Sequence, residues 1–479
     1  MTPFHRTRIL QGINAELRMR TRDDVRDDQA RKLVDMAALL VTRMIAAGKV
    51  EAAAREEFMA ALADRVEPLR QAPDSPRLAM LARELAMRAG LRDWPAVERT
   101  LGPALTEMIA SGSETGGRVA QAILGLDFAR RERIEQAARA EVENARAPIL
   151  AGHETFSDAD IARFTTILRT LFPDDPDVAI AATHIVAGGF SKQTAFLTLT
   201  GCTTLPDRVV MRRDRANSAL ATTVVKEYDL LRTLHGAGVA TAAPLGLYVP
   251  ETDADRPFLI SAVAAGRNIG DYWDVTAPSE SFGRDLARQL ARIHRLPPDL
   301  FPQIDGAGTP TRDHVQAELD ATHADWLSLN LNEPVADAAF AWLYRHLDWA
   351  DGRRTLVHRD IGCHNMLVDD GHITAIVDWE IAWIGNPARD IAYVRDTVSQ
   401  CIGWDDFVAE YIAEGGEMPG DGEMQFYSIW SEVKNLVWTA FSGQIFFSGL
   451  SDDLALGYSG IYNHDRLCHR IARKLSSAP

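Results

Sequence analysis

The chain has 479 residues, 46% hydrophobic and 25% charged, the composition of a globular protein that buries its core without disulfide or metal staples. With 51 basic against 67 acidic residues its formal charge is −16, the wrong sign for a general nucleic-acid binder or a polybasic membrane-surface protein. Cys202, Cys363, Cys401 and Cys468 have neither CxxC spacing nor a Cys/His ligand pattern, so neither a disulfide framework nor a zinc site is expected. The N-terminus meets charges before any apolar stretch can form. A conspicuous uncharged stretch, residues 435–451, contains Asn, Thr, Ser, Gly and Gln and reads as a buried helix. A soluble, cytoplasmic chain with no nucleic-acid and no membrane partner is expected.

Residues 1–150 read as helical throughout. Leu33, Met36, Ala37, Leu40 and Met44 recur at helical spacing, and Gly48 follows as the expected stop. The pattern returns in Phe58, Leu62, Val66 and Leu69, in Leu78, Leu81 and Leu85 up to Gly90, and in Val97, Leu101, Leu105 and Met108. About five or six helices are predicted, without a repeat or a catalytic constellation. The arginine-rich run over residues 129–147 also carries four glutamates and reads as a solvated helix face.

A boundary is expected at residues 147–157, where Pro148 and Gly152 break the pattern. Ser157-Asp158-Ala159-Asp160 then resembles a capping box opening a helix to about Leu171. β-like runs follow near 183–188, 194–200 and 207–212, then a helix with Glu227, Leu230, Leu231 and Leu234, then strands near 245–249 and 257–263. From about residue 282 helices dominate, interrupted by the strand-like runs NMLV and ITAIVDW. The expected class is α+β. An all-helical domain over 1–150 precedes a domain over 155–479, with a small β-rich lobe (about 155–264) and a larger helical lobe (about 265–479). In the latter, Trp430, Val433, Val437 and Phe441 form an apolar helix stripe expected in the core.

The segment LVHRDIGCHNMLVDDGHITAIVDWEIAWIGNP, residues 356–387, carries the chemistry. Asp360 follows His358 and Arg359, Asn365 stands five residues later and Asp378 eighteen residues later. That is the spacing of a kinase catalytic loop, whose aspartate accepts the proton of the substrate hydroxyl. Asn365 as a neutral oxygen ligand and Asp378 as a charged one are a sensible protein share of a Mg²⁺ shell, because this hard ion keeps waters and takes phosphate oxygens. His358 is expected to brace the loop, Cys363 to pack, and Asp390 to cap a helix or brace the loop.

These motifs resemble the aminoglycoside phosphotransferase/choline kinase-like family, the small-molecule branch of the protein-kinase fold. Gly385-Asn386-Pro387-Ala388-Arg389-Asp390-Ile391-Ala392 is similar to the family's Gly-Asp-Pro-x-x-Asp-Leu-Ala, with Asn386 replacing an aspartate. The resemblance covers about 155–479 and implies a bilobal kinase-like fold that uses ATP and Mg²⁺. It implies a nucleotide loop in which Gly188, Gly189 and Ser191 approach the phosphates. It sets Arg212, in Arg208-Val209-Val210-Met211-Arg212, where lysine usually contacts the α/β phosphates, with Glu227 as its helix partner. It also implies a hinge over 257–267, where the backbone of Ala262 and Ala264 would bond adenine. Arginine binds phosphate but reaches differently from lysine, so Lys192 or Lys226 could supply an ammonium instead.

The implied activity is phosphorylation of a hydroxyl on a small-molecule acceptor. Asp378-Trp379-Glu380, the Gly-Asn-Pro segment and the helix SIWSEVKNLVWTAFSG look most like bacterial phosphotransferases related to acyl-CoA-dehydrogenase-associated kinase domains. That implies a hydroxyacyl-CoA or another hydroxylated catabolic intermediate. An aminoglycoside, and a non-catalytic nucleotide-binding regulator, are the alternatives. Residues 1–150 hold 24 basic and 22 acidic residues, so the acidity sits in the remainder, with a net charge of −18. For these first residues two roles stay open: a dimerisation or docking module forming a homodimer, and an acceptor-binding lid.

Overall fold

The computed structural model describes residues 28–71, 75–143, 156–186, 192–214, 223–250, 256–270, 274–304, 310–448, 450, 456–457 and 459–478. In chain order, α1 (Asp28–Arg70), α2 (Pro76–Gly90), α3 (Trp94–Ala110), α4 (Glu114–Glu143) and α5 (Asp158–Leu171) come first. β1 (Ala179–Val186), β2 (Lys192–Thr200), β3 (Arg208–Asp214), α6 (Val224–Gly236), β4 (Pro244–Tyr248) and β5 (Phe258–Ala262) follow. Then come α7 (Glu280–His294), α8 (Thr311–Ser328), α9 (Pro334–Arg345), β6 (Thr355–Val357), β7 (Met366–Asp369), β8 (His372–Ile376) and β9 (Trp383–Gly385). α10 (Ala388–Val398), α11 (Trp404–Ala413), α12 (Asp421–Phe447) and α13 (His464–Ser476) close the chain. Among the described residues no helix is long and apolar enough to cross a membrane.

The chain forms two compact units. One joins Met1–Leu150 to Val315–Ala350 and Gln425–Pro479; the other joins Ala151–His314 to Asp351–Met424. This partition differs from the contiguous domain anticipated over 155–479, because two stretches of that range pack with the N-terminal helices.

In the first unit Gly48 does not end a helix: α1 runs through it to Arg70. An interior glycine costs about 1 kcal/mol. Burial of Phe58, Leu62, Val66 and Leu69 farther along the same helix outweighs that, at roughly 1.5–3 kcal/mol per large side chain. Ser75 caps α2 at the Leu78 N–H and Asp93 caps α3 at the Ala96 N–H, each followed by proline in the first turn. α3 runs so close to α9 that a Cβ on Gly102 would lie 2.4 Å from Asp337 Oδ2. On α12, Trp430, Val433 and Val437 are buried as the stripe requires, and Phe441 is half-buried.

Two arginines of the run on α4, Arg130 and Arg131, depart from its reading as a solvated face, while Arg133 is exposed as that reading expects. Asp127 accepts from Arg130 at 2.7 Å and from Arg131 at 2.6 Å, and Arg131 reaches Glu333 at 2.6 Å. The Arg130 and Arg131 side chains are only 9% and 12% exposed. Burial opposes the Asp127 charge, but the two guanidiniums override it and bring its pKa to about 2.

The second unit is built on a five-stranded antiparallel sheet ordered β1-β2-β3-β5-β4. α5, capped by Ser157 Oγ on the Asp160 N–H, sets Phe164 and Leu168 against Ile185, Leu197, Val209, Met211, Phe258 and Ile260 in one apolar core. Beyond the sheet, β6 pairs with β9 and β7 with β8. Chain order is thus helical first, then sheet, then mostly helical, as the α+β reading expects. Of the expected boundary at 147–157, residues 147–155 lie outside the described residues, and Ser157 caps α5.

Candidate active site

β6 delivers the chain to His358-Arg359-Asp360. His358 is fully buried, its Nε2 lies 3.0 Å from Val377 O, and its ring packs on Trp379. The next two backbone N–H groups converge on one buried carboxylate. Asp390, on α10, accepts from His358 N at 2.7 Å and from Arg359 N at 2.8 Å. Its Oδ2 also lies 3.3 Å from His294 Nε2, and His294 Nδ1 lies 2.9 Å from the Tyr411 hydroxyl. Arg359 sits at φ +73°, a left-handed conformation that a side chain adopts only when its surroundings enforce it. Asp390 therefore braces the loop, and His358 packs beneath it.

The Asp360 carboxylate is held at both oxygens. Tyr393 donates to Oδ1 at 2.8 Å, while Asn365 Nδ2 donates to Oδ2 at 3.0 Å and to the Asp360 carbonyl at 2.9 Å. His364 Nε2 stands 3.2 Å from Oδ2. Burial by itself would raise the pKa of this group; the His364 and Tyr393 hydrogen bonds and the neighbouring imidazoles prevail and lower it. Such a carboxylate is ionised at neutral pH and accepts protons from groups brought to it.

Asn365 precedes β7 and Asp378 follows β8, whose register pairs Met366 with Ile376. That ladder, with the Val377 N–H on Asn365 O at 2.9 Å, brings the two candidate metal ligands to the same end of one hairpin. Because the Asn365 amide nitrogen turns toward Asp360, its side-chain oxygen is the atom left to ligate. Asp378 is likewise left-handed, at φ +68°. An amide oxygen beside a carboxylate is a hard, all-oxygen donor pair, which fits Mg²⁺ and not a soft transition metal.

Arg212, on β3, links the sheet to this hairpin. It bonds Glu227 of α6 through Nη1 and Asp378 through Nη2, the latter at 2.9 Å. These carboxylates raise the Arg212 pKa further despite its burial, and burial pushes Glu227 upward against the pull of Arg212 and Lys192. Arg212 Nε and Glu227 Oε2 are buried without a hydrogen-bond partner among the described residues. The arginine expected to stand in for lysine is thus the residue the fold pairs with the helix glutamate. Lys192 opens β2 and is buried, its Nζ 3.1 Å from Asp214 and 3.9 Å from Glu380; Lys226 is half-buried on α6.

Ala262 ends β5, paired with Val209, and its N–H is committed to Ala243 O at 2.8 Å; its carbonyl is the group it can offer a base. Ala264 follows in the connector. Two residues on, Gly266 lies at φ +86°, and a Cβ there would lie 2.4 Å from Val368 O, so this strap presses against β7. Gly188, Gly189 and Ser191 lie outside the described residues. Tyr393, Asp214 and Glu380 are the neighbours that motif spacing did not single out; Lys192, raised from the sequence as an alternative ammonium, lies beside Asp214 and Glu380. Tyr393 had one signal, standing one helical turn after Asp390.

A β-rich sheet linked through a strap to a catalytic hairpin and a helical region defines a protein-kinase-like phosphotransferase fold. The Phosphotransferase enzyme family matches residues 183–427, just over half of the chain, and the chain belongs to it. The hygromycin-B 4-O-kinase of Escherichia coli is 28% identical over 169 residues, 33% of this chain and 49% of that enzyme. Acyl-CoA dehydrogenase family member 10 of Mus musculus is 25% identical over 202 residues, 40% of this chain and 18% of the mouse protein. The chain therefore spans about half the length of the first relative and under a fifth of the second. A crystal structure from Ralstonia eutropha, of a protein assigned to the aminoglycoside phosphotransferases, superposes with a TM-score of 0.52 at 17% identity. It covers 66% of this chain and 99% of that one, a likeness of fold alone.

Proposed function

We propose that the protein transfers the γ-phosphoryl group of ATP to a hydroxyl of a small molecule, in the cytoplasm and with Mg²⁺. The observation that carries this reading is the ionised Asp360 carboxylate, held by Tyr393, Asn365 and His364 beside the Asn365/Asp378 oxygen pair. Asp360 orients the acceptor hydroxyl and takes its proton as the oxygen attacks phosphorus. Asn365 and Asp378 are the residues that would hold Mg²⁺, which when bound neutralises charge on the phosphates. Arg212, steadied by Glu227, directs its guanidinium at the same charge, in a reaction where positioning and electrostatics do most of the catalysis. The carbonyl of Ala262 and the backbone of Ala264 would receive adenine, and Gly188, Gly189 and Ser191 would face the phosphates.

The acceptor we favour is a hydroxyacyl-CoA or a related catabolic intermediate, supported by the similarity to an acyl-CoA dehydrogenase family member. The net charge of −18 over residues 151–479 favours a cationic acceptor such as an aminoglycoside as the second reading. Release of ADP from ATP, screened against both acceptor classes, separates them. Asp360→Asn should abolish phosphoryl transfer while Mg-ATP binding persists. Near-normal turnover by that variant would refute the assignment.

A further inference from the structure

In the β2–β3 ladder Lys192 pairs with Asp214 and Thr194 with Arg212. Directly paired residues of an antiparallel ladder share a face, as do residues two apart on one strand. Lys192 and Arg212 therefore project from the same face of the sheet as diagonal neighbours. Each reaches the same turn of the catalytic hairpin: Arg212 bonds Asp378 at 2.9 Å, and Lys192 Nζ lies 3.9 Å from Glu380, two residues on. The cluster formed by Asp214, Glu227, Asp378 and Glu380 thus holds four carboxylates and two cations. Arg212 is already bound through Nη1 to Glu227 and through Nη2 to Asp378.

Lysine at this position is not the chain's habit, since the sequence holds six lysines against 45 arginines. The Lys192 side chain is only 2% exposed, and a buried ion pair is weak support for stability, being replaceable by apolar groups at little loss. Keeping a compact ammonium here has a chemical use when a polyanion must be received. An ammonium is a point charge that meets tetrahedral phosphate from any side, whereas a guanidinium needs a planar approach.

Resting on the kinase reading above, we propose that Lys192 is a second phosphate-directed cation, contacting the nucleotide's phosphates beside Arg212. Asp214 and Glu380 hold the ammonium at the end of β2. Asp214 also accepts from the Val224 N–H at the start of α6, which ties the lysine's position to the helix that carries Glu227.

The test is calorimetric binding of Mg-ATP and of adenosine to the full-length protein and its Lys192→Met and Lys192→Arg variants. Loss of a charge-assisted phosphate contact should weaken Mg-ATP binding by about tenfold or more. Adenosine affinity should stay the same, and Lys192→Arg should recover only part of the loss, since a guanidinium needs a planar approach to the phosphates. Because methionine leaves Asp214 facing an apolar chain, Lys192→Met/Asp214→Asn serves as a second variant and should show the same selective loss. Wild-type-like Mg-ATP binding by both methionine variants overturns the proposal. So does a parallel loss of adenosine and Mg-ATP, the mark of a merely structural lysine. A wild-type protein that binds adenosine but not Mg-ATP refutes the kinase reading and this proposal together, whereas tight wild-type binding with unchanged variants refutes this proposal alone.

Discussion

Replacing Asp390 by alanine tests whether the catalytic loop is held by one buried carboxylate. The change removes the acceptor of two buried backbone N–H groups, His358 at 2.7 Å and Arg359 at 2.8 Å, and takes from His294 a partner at 3.3 Å. Each buried donor left unpaired costs about 1–3 kcal/mol, so the variant should lose about 3–5 kcal/mol of local stability. Arg359, at φ +73°, stores strain of about 1–3 kcal/mol that relaxation of the loop releases. The loop therefore moves, and Asp360 with it. A displacement of about 1 Å at a reacting group lowers turnover roughly a hundredfold.

The Asp390 pKa has a definite sign. Burial opposes its charge, but His294, His358 and the backbone donors outweigh burial and hold the carboxyl below its ordinary range. A depressed folded-state pKa stabilises the fold fully above the unfolded value, about 3.9. That stability is lost as pH falls through the folded-state value. The wild type's advantage over Asp390→Ala should thus be constant near neutrality and shrink in acid. Hydrogen exchange of peptides over residues 356–366, with steady-state kinetics, reads both effects. Slow exchange at residues 358 and 359 in the variant, with kcat within about threefold of wild type, would refute the reasoning.

Two further outcomes follow from the same geometry. Tyr393→Phe removes the donor to Asp360 Oδ1, so the base's pKa should rise and the acid limb of the kcat/KM profile should move to higher pH; an unmoved limb would show that Tyr393 does not tune the base. Deleting residues 1–150 strips α9 and α13 of their partners α3 and α4 and leaves Glu333 without Arg131, so the truncated chain should be recovered insoluble or unfolded; a soluble truncation with a sharp thermal transition would contradict the packing.

The hairpin of the candidate site was legible because its polar residues are local in the chain. Asp360, Asn365 and Asp378 fall within nineteen consecutive residues, and a tight β7–β8 hairpin converts that spacing directly into proximity. The periodic runs were legible for the same reason: Phe58, Leu62, Val66 and Leu69 repeat at the helical period and all are buried. α5 with its Ser157 cap, and all five strands of the sheet, were likewise marked by neighbouring residues.

What escaped the sequence depends on partners remote along it. Gly48 is a stop signal by propensity, yet packing farther along α1 overrides a cost of about 1 kcal/mol. Arg130 and Arg131 look solvated by composition and are buried because Asp127 and Glu333 meet them, the latter from 202 residues away. Tyr393 reaches Asp360 only through a helix face, and strand register is what chose Lys192 over Lys226 as the lysine beside Arg212. The grouping of residues 315–350 and 425–479 with the N-terminal helices has no local mark at all. Spacing along the chain singled out Asp360, Asn365 and Asp378 as the candidate groups. Tertiary structure decided which charges are buried and paired, because a charge leaves water only where a distant segment supplies its opposite.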